Sequence, residues 1–352
     1  MTDPNQPRQP KDMKGLLRFC VEATKNEDAP DLSDPEKILN DMDPEKRKWL
    51  EEALNSMSVD IVEQLVNGIK ILNSNAPVDE KEEVLDLLED WLGNIDMAVN
   101  FHKVGGFTSL RKCLKSSSPG LRSGASNLIA EISQNNPYCQ DKFIEEHFLE
   151  LLLNQVDTDS DEMCQVKAMY AISCISREHP KALTKLGSLD GWSVLLRAIQ
   201  RDNVKLTTKG CYFLTSAVTV SDSVAQHLLE MGMITQLAGI LHTDFGPHHE
   251  HVLAALRSLM VRLPAAKEQA RSPSLGLESL LLHRRTELRG QDEFLECVEH
   301  CEALLHHLAP EFVPTEEWQE VEEWQGVPPG CHVKVDLQSG KKLARMEVAT
   351  DR

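Results

Sequence analysis

Four short segments recur along the chain: GGFTSLRKCL, HFLELLLNQV, DGWSVLLRAI and MGMITQLAGIL, with LGLESLLLHR a fifth of similar pattern. With Gly106, His147, Gly191, Gly232 and Gly276 as markers, the steps are 41, 44, 41 and 44 residues. A second set follows at the same period: LRSGASNLIAEI, QVKAMYAISCI, TTKGCYFLTSAV and HVLAALRSLMV. Its aligned positions Ile132, Ile175, Val218 and Leu259 step by 43, 43 and 41. A unit of this size cannot bury its apolar face alone, so successive units must stack and share one continuous core.

A period in the low forties with only helical signals is the armadillo or HEAT signature. Aromatic residues make up only 5% of the chain, which also favours helix over sheet. The fold expected is all-α: an armadillo-repeat right-handed superhelix of about four repeats with helical flanking elements. The glycines are expected to turn one helix into the next. His147 breaks the glycine pattern, so its turn should differ slightly. The second set, apolar nearly all round, reads as the third helix of each unit, packed between neighbours. Third helices line the concave face of such a stack, which is its natural binding surface.

Residues 1–40 read as a flexible, polar amino-terminal segment, residues 41–309 as the helical repeat domain, and residues 310–352 as an acidic, flexible tail with Trp318 and Trp324. MDPEKRKWLEEALNSM from Met42 has a capping Asp43, Pro44 in the first turn, and Trp49, Leu50 and Leu54 along one face. The amino terminus has no apolar signal core, and no run approaches the ~18 apolar residues of a membrane span. The formal charge of −19 argues against nucleic acid and anionic membranes as partners. The nine cysteines are scattered, and Cys113, Cys164, Cys174 and Cys211 sit in apolar helical patterns. They read as reduced core residues of a cytosolic protein.

No catalytic motif is present: there is no phosphate-binding loop, and DGWSVLL lacks the second glycine of a nucleophile elbow. FGPHHEH, from Phe245 to His251, departs from H-E-x-x-H spacing and reads as capping or partner contact rather than metal binding. Cys297 and Cys301 read as packing. The chain is therefore expected to bind rather than catalyse, with no metal and no cofactor. Basic residues are more informative. Arg122, Lys167 and Lys209 fall at nearly the same place on successive third helices, Lys205 lies one turn before Lys209, and Arg257 sits on the fourth. On an acidic protein, such a stripe selects an acidic partner surface. A nuclear-import type of groove does not fit, because the third helices carry no tryptophan array.

The blocks KGLLRFCVEAT, MDPEKRKWLEEAL, VLDLLEDWLGNIDMAVNF, QVKAMYAISCISRE, LDGWSVLLRAIQ, MGMITQLAGIL, HHEHVLAALRSLM and LGLESLLLHRRTEL occur in order over most of residues 14–309. Together they resemble the heat-shock-chaperone-binding protein 1 family, the armadillo-type nucleotide exchange factors of heat-shock protein 70. The tail from Glu311 departs from the animal form. The resemblance implies a monomeric cytosolic co-chaperone whose concave face embraces lobe II of the chaperone's ATPase domain, opens the cleft and lets ADP leave. It also implies that a mobile amino-terminal segment assists release of the client. It makes Ala98, in NIDMAVNF, the small residue that permits close approach. It places a basic contact at Lys205 or Lys209, with Lys209 preferred. Geometry and alignment together add Lys167, Arg122, Glu250 and His251. The alternative is a generic armadillo scaffold or adaptor.

Overall fold

The computed structural model describes residues 61–308 and three short strands, Trp318–Glu320, His332–Asp336 and Lys342–Arg345. The amino-terminal segment 1–40 and the helix read from Met42 lie outside the described residues. Backbone contacts separate residues 1–67 from residues 68–352. The first group contributes only the opening of helix α1, Ile61–Asn73. The repeats all lie in the second.

Helix α2 runs Val78–Leu92, and triplets of helices follow it. The first is α3 (Ile95–Lys103), α4 (Gly106–Leu114) and α5 (Pro119–Ser133). The second is α6 (Pro137–Glu145), α7 (Phe148–Thr158) and α8 (Glu162–Ser176). The third is α9 (Pro180–Ser188), α10 (Gly191–Ile199) and α11 (Val204–Val220). The fourth is α12 (Asp222–Glu230), α13 (Met233–Leu241) and α14 (His249–Arg262). A fifth, irregular triplet closes the series: α15 (Pro264–Ala270), a 3-10 turn, α16 (Leu277–Leu288) and α17 (Leu295–Leu308). The sequence shows about four because α15 is only seven residues long and the apolar pattern of α17 is interrupted by histidines and glutamates.

Local chemistry sets each triplet. The first helices of the first four triplets start on a side chain that accepts a free backbone N–H: Asn94 from Asp96 and Met97, Asn136 from Cys139, His179 from Ala182 and Ser221 from Val224. Such caps satisfy donors that the helix itself cannot. First and second helices are joined through one left-handed residue: Gly105 (φ 89°), His147 (φ 61°), Asp190 (φ 57°), Gly232 (φ 79°) and Gly276 (φ 58°). His147 therefore makes the same turn as the glycines, against expectation. Polar residues such as Asp, Asn and His visit this region more readily than others. Gly106 and Gly191 are glycines for a different reason. A Cβ on Gly106 would stand 2.4 Å from the Phe101 ring, and one on Gly191 would stand 3.0 Å from the Leu186 carbonyl oxygen.

Third helices pack on their own second helix and on the third helices of the neighbouring repeats. The marker positions Ile132, Ile175, Val218 and Leu259 are all buried. An apolar surface nearly all round is what such a two-sided helix needs. The rings of Phe107 and Phe143 stack at 4.0 Å between the first two repeats, and Phe148 meets Phe143 edge-on at 5.0 Å. Cys113, Cys164, Cys174 and Cys211 are buried free thiols, as are Cys297 and Cys301.

Three strands fall where the sequence reading placed a flexible tail. β1 (Trp318–Glu320), β2 (His332–Asp336) and β3 (Lys342–Arg345) form an antiparallel sheet in that order. Trp318 pairs with Asp336, and His332 with Arg345. Strands this short give too few alternations for a periodic signal. Trp324 lies outside the described residues.

The FGPHHEH stretch is a latch at the start of α14. The Gly246 N–H donates to His249 Nδ1 at 3.1 Å, and His249 Nε2–H donates to the Ile240 carbonyl at 3.0 Å. The Phe245 ring stacks on the imidazole at 5.4 Å. Both ring nitrogens serve the backbone, so this buried histidine is structural rather than a ligand. Burial, only partly opposed by the Ile240 hydrogen bond, pushes its pKa below the ordinary imidazole value. The unfolded chain takes up that proton near pH ~6.5, the folded chain only at lower pH. Its stabilisation is thus complete above about pH 6.5 and is lost as pH falls toward the folded value. Denaturant melts between about pH 7.5 and 5.5 should show stability falling on acidification, with a shallower fall in His249→Gln. His248, His300 and His307, also depressed by burial, should keep some slope in the variant.

Candidate partner-binding face

The third helices α5, α8 and α11 begin on Ser118, Asp161 and Asn203, which accept the backbone N–H of Leu121, Cys164 and Leu206. These caps put the repeats in register. Lys167 and Lys209 are each the sixth residue after their cap; Asn127, Tyr170 and Tyr212 are each the ninth. Three residues apart on a helix share a face. On α14, preceded by His248, the same positions hold Ala254 and Arg257.

This register produces a repeated contact. Lys167 Nζ donates to Asn127 Oδ1 of the preceding third helix at 2.8 Å. Asn127 Nδ2 donates to Glu89 of α2 at 2.7 Å. One repeat on, Lys209 Nζ sits 4.4 Å from the centre of the Tyr170 ring. The Tyr170 hydroxyl accepts from Gln134 Nε2 at 2.8 Å and donates to Glu131 at 3.3 Å. Burial, aided by the neighbouring Cys174 and Glu131, holds this phenol far above its usual pKa, so it stays neutral. The ninth residue of one repeat thus holds the sixth of the next. Arg177 continues the face over the Tyr212 ring at 5.5 Å.

Electrostatically, the two lysines differ from the repeat arginines. Arg197 and Arg201 reach Asp157, Arg262 reaches Asp222, and Arg271 reaches Glu268. Among the described residues neither Lys167 nor Lys209 has an ion-pair partner. An amide and an aromatic ring orient them and leave their charge intact. Lys205, on the first turn of α11, is exposed, and among the described residues its side chain makes no hydrogen bond or ion pair.

Two of the expected contact residues stand elsewhere. Arg122 is only the fourth residue after its cap and faces inward. Its Nε and Nη2 donate to both carboxylate oxygens of Asp159, at 2.7 and 2.8 Å, and Nη1 donates to the Ser116 and Ser117 carbonyls at 3.0 Å. Both side chains are largely buried, and this hydrogen bond lowers the Asp159 pKa and raises that of Arg122. Arg122 is a strut between two loops rather than a groove charge. Ala98 is 1% exposed inside α3 and is a core residue in this structure.

Glu250 and His251 are half-buried at the start of α14. Burial raises the Glu250 pKa, and the Glu296 carboxyl of α17 adds to the rise against the opposing pull of His251. Arg257 Nη1 lies 3.3 Å from His300 Nδ1 on α17. Tyr170 and Tyr212 escaped the sequence reading. Counting from the capping residues, rather than from the apolar markers, would have aligned them with Asn127.

Comparison with known proteins follows this geometry. The family model described as the SIL1/FES1/HPBP1 C-terminal domain matches residues 97–207, and that of the nucleotide exchange factor Fes1 matches residues 13–101. The model of the nucleotide exchange factor Sil1 small beta-sheet domain matches residues 312–340, where β1 and β2 lie. Hsp70-binding protein 1 of Mus musculus is 36% identical over 314 residues, covering 85% of this chain and 86% of that one. The Homo sapiens protein of the same name is 35% identical over 313 residues, with 85% of each chain covered. A designed armadillo repeat protein superposes on 69% of the chain and 99% of its own length, with TM-score 0.58 and 20% identity. That likeness confirms the armadillo fold. The long match to Hsp70-binding protein 1, together with the Fes1 and Sil1 family segments, shows that the chain belongs to the SIL1/FES1/HPBP1 family.

Proposed function

We propose that this protein is a co-chaperone that binds the ATPase domain of heat-shock protein 70 and promotes ADP release. The observation that carries the reading is the pair Lys167 and Lys209, ordered at one register on adjacent third helices and left unneutralised in a chain of charge −19. A half-exposed, oriented positive pair on an acidic protein draws an acidic surface and repels most others. The relatives' names, Hsp70-binding protein 1 and Hsp70 nucleotide exchange factor FES1, identify which acidic partner to test first. The surface in question is lobe II, met by the concave third-helix face of a single cytosolic copy.

The mechanism is differential affinity. The face binds the open, nucleotide-poor chaperone better than the closed one, so mass action opens the cleft and ADP leaves. To reverse a closed-to-open ratio of about 99:1, the preference must be on the order of 10⁴-fold. No covalent bond changes. The test is release of a fluorescent ADP from the chaperone's ATPase domain, followed by stopped flow with the full chain added. Release accelerated in proportion to added protein is expected. Binding with unchanged release would leave a scaffold and sink the exchange reading.

A further inference from the structure

We infer that Tyr170 is a positioning residue for partner binding: its ring holds the Lys209 ammonium in place, still charged, for an acidic group of the partner. The inference rests on the reading that the third-helix face meets the chaperone.

The ring is a fixed platform. Tyr170 is half-buried on α8, and its hydroxyl is tied to Gln134 and Glu131. Gln134 Nε2 also bonds Glu131 at 2.9 Å, so the three side chains brace one another. Lys209, one repeat on, lies 4.4 Å above the ring, well inside cation–π range. A free lysine would lose rotamer freedom on binding, whereas one ordered beforehand loses less. A carboxylate could order it too, but would cancel the charge the partner is to read. An aromatic face orders the ammonium and leaves its outer hydrogens free. Asn127 treats Lys167 the same way through its amide oxygen. The recurrence of ninth residue holding sixth residue in adjacent repeats gives the contact a pattern. The device ends at α14, where the sixth position is Ala254 and Tyr212 has no lysine to hold.

The experiment measures binding of the full chain to the heat-shock protein 70 ATPase domain, with melting temperatures as folding controls. Tyr170→Phe, which keeps the ring, should bind within about twofold of the parent protein. Tyr170→Leu should bind about fivefold more weakly. Tyr170→Met replaces it if the leucine variant melts early. In a Lys209→Gln background, removing the ring should have no further effect, because the residues act through one ammonium. Parent-like binding by Tyr170→Leu, with Lys209→Gln weakened, would overturn the positioning role and leave the face reading standing. Additive losses in the double variant would also overturn it, since Tyr170 would then meet the partner itself. An inert Lys209→Gln would remove the face reading and the positioning role together.

Discussion

Lys209→Glu is expected to weaken chaperone binding by about 2 kcal/mol or more, roughly 30-fold, and to abolish most of the accelerated ADP release at limiting concentration. The reversal removes an attraction and adds a repulsion at a place where the ammonium is ordered and unpaired. Association should slow as well as dissociation quicken, and the slowing should shrink as salt is raised, because steering is screened. The fold should be almost untouched. What the variant loses internally is one half-exposed cation–π contact, worth about 0.5–1 kcal/mol. Lys205→Glu provides the internal comparison. Lys205 is exposed in the first turn of α11, where the helix dipole disfavours a cation. A glutamate there should hold or slightly raise the melting temperature, and should weaken binding less than Lys209→Glu. Equal losses at both positions would show a diffuse field in place of an oriented contact. Full exchange activity in a folded Lys209→Glu protein would remove the site.

The contrast between those lysines marks what the sequence carried. Positions buried on both sides announce themselves: Ile132, Ile175, Val218 and Leu259 must be apolar, so their spacing exposed the repeat and its phase. Lys167 and Lys209 followed from that phase. Arg122 did not, although its spacing puts it in the same stripe. Its role depends on Asp159, 37 residues away in another loop, and nothing in local spacing marks that pairing. The turns were masked in a different way. Gly191 took the place of its neighbour Asp190 in the pattern because both residues are constrained, one by packing and one by a positive φ. Tyr170, on the mostly apolar helix α8, reads from sequence alone as core. Its meaning comes only from the lysine that the next repeat sets on its ring.

Ala98→Arg separates what resemblance implies from what burial implies. As a contact residue, Ala98 would admit the partner closely, and arginine there would block binding without harming the fold. In the structure Ala98 is 1% exposed on a nine-residue helix whose Phe101, one turn on, is fully buried. Arginine at such a point must either force a charged group into the core or lever α3 off its neighbours α2, α4 and α6. Overpacking alone costs about 1–3 kcal/mol. An unpaired buried charge, or the loss of the helix's packing that avoids it, brings the expected total to at least about 4 kcal/mol. For a repeat body of this size, that is a fall in melting temperature of about 8–16 °C. Because each repeat is stabilised by its neighbour, damage to the first triplet should spread to α5 and the contacts it makes with α8. Hydrogen exchange should therefore quicken across residues 95–133, and chaperone binding should fall as a consequence. Ala98→Gly adds no volume and should cost about 1 kcal/mol of helix propensity and about another for the lost buried methyl, leaving binding intact. An Ala98→Arg protein that melts within about 2 °C of the parent yet no longer binds would reverse the assignment. Residue 98 would then lie where the partner reaches it, and the first triplet would have to open its α3 face when the complex forms.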